Sequence, residues 1–321
     1  MAKKTMRQFV IFAVLLLSVA VATAQEVVKT THHYATHDGI ELLLDRYDTT
    51  IVQEESRPCM IFLFGGGFKQ GERDHEMYIP YLERLARLAR EGIVAVSIDY
   101  RLGLKLYPPT GGKISMVKAL TNAVRIAVED LYCATNYVIA NAEVWHINPE
   151  LIMISGSSAG AITVLQAEWL RCNGKEIAEV LPCNFRYAGV VSCAGAIFST
   201  KGEPKFKDKA APMLLFHGTS DSNVPYNKSS IAGIGFFGSK HIAKHLEKAH
   251  SPYYFYSAEY VTHTLAITPF IDQQELILQF INDYVLRGKQ LFIESTIYDP
   301  TIPQRPTRFS PMDYMRTNYG K

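Results

Sequence analysis

A chain of 321 residues with 48% hydrophobic and 20% charged positions is too apolar for a disordered polypeptide and long enough for one large α/β domain. A formal net charge of +2 with no basic stripe excludes the electrostatic footprint of a nucleic-acid binder. Five cysteines without C-x-x-C spacing exclude a zinc ribbon or a thioredoxin-type dithiol.

In chain order, Lys3, Lys4 and Arg7 come first, before an apolar run from Phe9 to Ala22; Ala22-Thr23-Ala24 then offers a small-residue cleavage site ahead of Gln25. This pattern predicts a signal peptide over residues 1–24 and export to the periplasm or beyond the cell. The apolar run is short for a membrane span, and no later segment is apolar enough to insert stably in a bilayer. Cleavage would remove three positive charges and no negative ones, taking +2 to −1. In an oxidising compartment Cys172 and Cys183 could close a short loop, with buried free thiols as the alternative. Cys59 and Cys193 fall in strand-like runs and read as core.

Thr31–Tyr34 and Glu41–Tyr47, joined through Asp38-Gly39, predict an antiparallel hairpin at a sheet edge. Apolar, β-branched runs follow at Met60–Phe64, Ile93–Asp99, Leu151–Ser155, Tyr187–Ser192, Met213–His217 and Tyr253–Tyr260. Segments of helical period lie between and after them, at Tyr78–Arg90, Val117–Asn141, Ser158–Leu170, Ile242–Ala249 and Gln273–Val285. Continuous apolar strands alternating with helices predict an α/β fold, a mostly parallel central sheet with helices on both faces. One domain over residues 25–290 accounts for these elements. The tail from Leu291 to Lys321, rich in Pro, Arg and Tyr, reads as a segment that wraps the surface or frays.

Three glycines at 65–67 directly follow the first central strand. Such a loop lets backbone N–H groups approach a negative oxygen closely; it lacks the Lys-Ser/Thr ending of a phosphate-cradling P-loop. Gly156-x-Ser158-x-Gly160, between a strand and a helix, matches a nucleophile elbow, where a tight bend lifts a serine hydroxyl above the sheet's carboxyl edge. A serine needs a base, and the base an orienting acid. Asp221 stands just after the Met213–His217 strand, and His263 just past the Tyr253–Tyr260 strand. An aspartate before Asn223 and Pro225 can also serve only a turn. His241, His245 and His250 compete with His263, but they fall on or beside a helix and read as solvated surface groups. His217, at its strand's end, is too close to Asp221 in sequence to be its imidazole partner and reads as fixing that loop. Ile231–Phe237 could line or cap an acyl pocket, or pack on the core.

With these motifs in view, the chain resembles α/β-hydrolase esterases of the hormone-sensitive-lipase and carboxylesterase type, in particular small secreted bacterial carbohydrate esterases. The resemblance runs from about Thr31 to Val285, through "FGGGFKQGERD", "VSIDYRL", "INPELIMISGSSAGA", "HGTSDSNVPY" and His263. It implies the α/β-hydrolase fold and hydrolysis of a small-molecule or carbohydrate ester. Ser158 would be the nucleophile, Asp221 the acid and His263 the base, with oxyanion donors at the backbone N–H groups of Gly66, Gly67 and Ala159. It implies no metal or organic cofactor. Asp99-Tyr100-Arg101 would buttress the glycine loop. Two positions depart from the family: Phe64 stands where a histidine is common, and Val261-Thr262 precedes His263 where a glycine is usual. A lipase, a peptidase on the same fold or a non-catalytic binding protein are the alternatives.

Overall fold

Asp38 and Gly39 both take positive φ, 54° and 76°, the backbone pair required by a two-residue hairpin turn that follows the right-handed strand twist. They join β1 (Val27–His37) to β2 (Ile40–Thr49), antiparallel with one register shift between His33 and Ala35. The computed structural model describes residues 26–50, 56–87, 92–310 and 312; the expected signal segment lies outside the described residues.

The strands that follow are β3 (Arg57–Leu63), β4 (Val94–Ile98), β5 (Ile147–Ser157), β6 (Gly189–Cys193), β7 (Ala196–Ser199), β8 (Met213–Gly218), β9 (Lys228–Ile231), β10 (Ile234–Gly238), β11 (Tyr253–Ala258) and β12 (Phe292–Ile297). The main helices are α1 (Ile79–Ala86), α2 (Gly112–Ala140), α3 (Ala159–Cys172), α4 (Ser239–Lys248) and α5 (Gln274–Phe280), the last continuing as a π-turn over Ile281–Leu286.

Among the described residues the main sheet has nine strands in the order β1-β2-β4-β3-β5-β6-β8-β11-β12. The β1–β2 hairpin meets β4 antiparallel, and every pairing from β4 to β12 is parallel. All residues of β3, β4, β6 and β8 are buried. Successive side chains of a strand point to opposite faces, so both faces of the sheet are covered there, as a parallel sheet requires. Helix α3 packs on β5 and β6 and against α2. The mostly parallel α/β architecture is the expected one.

Two features differ from the sequence reading, and a third decides between two alternatives it left open. β12 pairs with β11 from Tyr253↔Phe292 to Ala258↔Ile297, so the sheet continues beyond residue 290 into the segment read as a tail. β7, β10 and β9 form a second, antiparallel sheet, and Ile231–Phe237 supplies its hairpin: Phe236 and Phe237 are buried while Ile231 and Ile234 face solvent. All five cysteines are free, so Cys172 and Cys183 form no disulfide; the buried Cys172 thiol donates to Glu168 Oε1 at 3.2 Å, and Cys183 is exposed. Cys59 and Cys193 are buried. Among the described residues no helix is long and apolar enough to cross a membrane.

Candidate active site

The bend after β5 is closed by sterics. A Cβ on Gly156 would sit 2.4 Å from the carbonyl carbon of Gly160, and one on Gly160 would sit 2.2 Å from the Leu63 carbonyl oxygen at the end of β3. Backbone presses on backbone, so only glycine fits. Between them Ser158 takes φ 50° and ψ −111°, a strained conformation for a side-chain-bearing residue. Its N–H donates to Cys193 O at 2.9 Å, which ties the bend to the end of β6. Ser158 then stands at the N-cap position of α3 with no side-chain capping bond, its carbonyl accepting the Ile162 N–H at 2.8 Å.

Asp221 follows β8. Its Oδ1 accepts the N–H groups of Asn223 (2.8 Å) and Val224 (2.9 Å), so the turn reading of this aspartate is present. Its Oδ2 lies 2.7 Å from His263 Nδ1. A carboxylate only accepts, so Nδ1 carries the proton, and Nε2 offers its lone pair. Nε2 lies 2.8 Å from Ser158 Oγ; the serine hydroxyl therefore donates to it. Burial by itself would push the Asp221 carboxyl up, but the imidazoles of His263 and His217 outweigh that and hold it well below the usual carboxylate range.

His217, at the end of β8, is fully buried. Its Nε2 faces two acceptors, Val224 O at 3.2 Å and Asp221 Oδ2 at 3.3 Å, so that nitrogen also carries a proton. Nδ1 meets Ser239 Oγ at 2.8 Å. His217 thus holds the loop, as expected, but it also touches the carboxylate itself, against the expectation that it stands too close in sequence to do so. The chain between strand end and loop turns back far enough to bring the two groups together. The stiff Val261-Thr262 approach to His263 is accommodated from the other side: a Cβ on Gly218 would lie 2.2 Å from Val261 O, and Ser220 N–H donates to that same oxygen.

The glycine loop turns through left-handed backbone at Gly66 (φ 115°), Gly67 (φ 63°) and Phe68 (φ 59°). Gly66 O accepts the N–H groups of Lys69 (3.1 Å) and Gln70 (3.2 Å), and a Cβ on Gly66 would lie 1.9 Å from Gln70 O. Phe64, where a histidine is common, stacks on Tyr100 with ring centroids 4.5 Å apart, and the Tyr100 hydroxyl donates to Phe64 O at 2.9 Å. Asp99 pairs with Arg73 beyond the loop at 2.8 Å. Arg101 turns away to Asp130, Asp38 and Glu129, joining the β1–β2 turn to α2.

Ser158, His263, Gly66, Gly67 and Ala159 all line one open cavity of about 760 Å³, together with Phe68, Tyr78, Ile162, Val224 and Ile267. Asp221 lies behind His263 rather than in the cavity wall. Sequence reasoning missed Tyr78, whose hydroxyl donates to Ser157 Oγ at 3.0 Å; a tyrosine opening a helix carries no signal that would single it out. Of the competing histidines, His241 is buried, not solvated, while His245 is half-buried.

Comparison with known proteins agrees with this architecture. A model of the family described as BD-FAE matches residues 44–173. Esterase B1 of Culex pipiens is 30% identical over 107 residues, a match that takes in 33% of this chain and 18% of that protein, so the shared part is under a fifth of the relative's length. Among solved structures, the apo form of Thermogutta terrifontis esterase 2 superposes with a TM-score of 0.57 at 21% identity, covering 83% of this chain and 96% of that one. Its propionate-bound form gives a TM-score of 0.58 at 21% identity, over 84% and 96%. The fold is that of the α/β-hydrolases.

Proposed function

We propose that this chain, an α/β-hydrolase by fold and similar to carboxylesterases, is a serine hydrolase that cleaves carboxylic esters through an acyl-enzyme. The observation that carries the reading is the continuous relay of Ser158 Oγ to His263 Nε2 at 2.8 Å and His263 Nδ1 to Asp221 Oδ2 at 2.7 Å. As Oγ attacks the ester carbonyl, His263 takes its proton and Asp221 stabilises the imidazolium. The N–H groups of Gly66, Gly67 and Ala159 receive the oxyanion; one such donor is worth roughly 10²–10³ in rate. The carbon–oxygen bond to the alcohol breaks, and the alcohol leaves with the proton from His263. Water, deprotonated in turn by His263, attacks the acyl-enzyme and frees the acid and Ser158.

Short acyl groups and acylated carbohydrates are the proposed substrates. The open cavity and the apolar side chains of Phe68, Ile162 and Ile267 around Ser158 support a small acyl site with room for a larger alcohol. Structures of Thermogutta terrifontis esterase 2 with propionate and with butyrate favour the same acyl size. Export through residues 1–24 belongs to the same proposal, on the strength of the basic, apolar and small-residue order there.

A fluorophosphonate probe is expected to label Ser158, and Ser158→Ala to lose both the label and at least ~10³-fold in turnover of p-nitrophenyl acetate. Wild-type turnover in Ser158→Ala would sink the assignment. Acetylated xylan, methyl ferulate and p-nitrophenyl esters of rising chain length then separate the acyl and alcohol preferences.

A further inference from the structure

Helix α4 carries His241 and His245 one turn apart, so both can face one point. Glu203, in the loop after β7, reaches the same point. One ring nitrogen from each histidine and one Glu203 carboxylate oxygen all lie within 4.8 Å of one another. His241 is only 7% exposed, and its Nε2 is buried with no hydrogen-bond partner among the described residues. A buried polar nitrogen left unpartnered is unfavourable and calls for an explanation.

We infer that Glu203, His241 and His245 form a binding site for a divalent transition-metal ion, with Zn²⁺ the best match. Two imidazoles and one carboxylate are a donor set that suits zinc and its neighbours better than magnesium or calcium, which prefer all-oxygen sites. Around a tetrahedral zinc with bonds of about 2.0–2.1 Å, ligand atoms stand about 3.3 Å apart. The three side chains need to close by no more than about 1.5 Å, within reach of side-chain rotation at the exposed Glu203 and the half-buried His245. Water fills the remaining position. Burial, then the neighbouring His245, pushes the His241 imidazole down to about 4; burial, then Lys248, lowers His245 as well. Both shifts favour the neutral imidazole, the form that binds metal. The Lys228 ammonium donates to Glu203 Oε1 at 2.6 Å and balances the carboxylate's charge when the ion is away. Both partners of that pair are exposed, so the ion can displace the lysine or take the second oxygen. A bound ion would cross-link the loop after β7 to α4, outside the cavity beside Ser158, and its role would be structural.

The test is calorimetric titration of the metal-free full chain with Zn²⁺, paired with thermal unfolding with and without the ion. Wild type is expected to bind one ion per chain and to melt at a higher temperature with it. His245→Ala and Glu203→Gln, chosen because neither side chain is fully buried, are each expected to bind at least tenfold more weakly and to lose the thermal shift. Absence of Zn²⁺ binding in wild type, or unchanged affinity in both variants, would overturn the site.

Discussion

One oxygen of Asp221 closes the Asn223–Val224 turn, and the other takes His263. The turn reading and the triad reading of this aspartate are compatible because an ionised carboxylate has about four lone-pair sites. The turn fixes the carboxylate plane, and the fixed plane aims Oδ2 at the imidazole. His217, 3.3 Å from that same oxygen, is then a positioning residue rather than loop filler alone. Replacing it removes a polar partner from a buried carboxylate, an interaction of about 1.5–3 kcal/mol. His217→Leu is therefore expected to lower kcat roughly 10- to 100-fold with KM nearly unchanged, because His217 does not line the cavity. His217→Gln, which keeps an N–H donor toward Val224 O, should recover part of the loss. Steady-state kinetics on ester substrates decide it; an unaltered kcat in His217→Leu would confine the residue to packing.

The elbow and the hairpins show the same physics at the level of elements. Gly160 faces the Leu63 carbonyl so closely that an added Cβ would lie 2.2 Å away, and neither backbone can yield without moving β3. Gly174, past the end of α3, has φ 55° and open space around it. Gly160→Ala is expected to destabilise by about 3 kcal/mol or more. Gly174→Ala carries only the left-handed strain of about 1–2 kcal/mol. Urea unfolding of the two variants measures the contrast, and similar losses would show that crowding at the elbow is not what demands glycine. The two hairpins differ in legibility for a related reason. Asp38-Gly39 carries the usual residues for paired positive φ, and the β1–β2 hairpin could be read from them. The β9–β10 turn uses Ala232 and Gly233, at φ 50° and 80°; alanine is a poor candidate for that conformation, so the hairpin was not legible.

Across the whole molecule, the chain beyond residue 290 completes the sheet. β12 covers the edge that β11 would otherwise expose, and Arg305 O accepts a hydrogen bond from Ser220 Oγ, beside Asp221. The segment Phe292–Ile297 escaped notice because neither of its faces is fully covered: none of its residues is buried, and Glu294, Ser295 and Thr296 break any apolar run. Deleting residues 292–321 leaves a strand edge with unpaired N–H and C=O groups, a template for self-association. The truncated chain is expected to melt about 5 °C or more below the full chain and to scatter light on heating. An unchanged melting temperature would mean that the ninth strand adds nothing to stability.

By itself the sequence determined the order of the first hairpin, β3 to β6, β8, β11 and the helices among them, and with it the placing of Ser158, Asp221 and His263 each just past the end of a parallel strand. Strands buried on both faces write continuous apolar runs, and bends too tight for a Cβ demand glycine; both signals are local. Tertiary structure alone decided how Tyr100 steadies a loop that has Phe64 in place of histidine, that Cys172 and Cys183 remain apart, and that His241 is buried near Glu203. Each of these depends on segments far apart in the chain meeting in space, and no periodicity within either segment encodes that meeting.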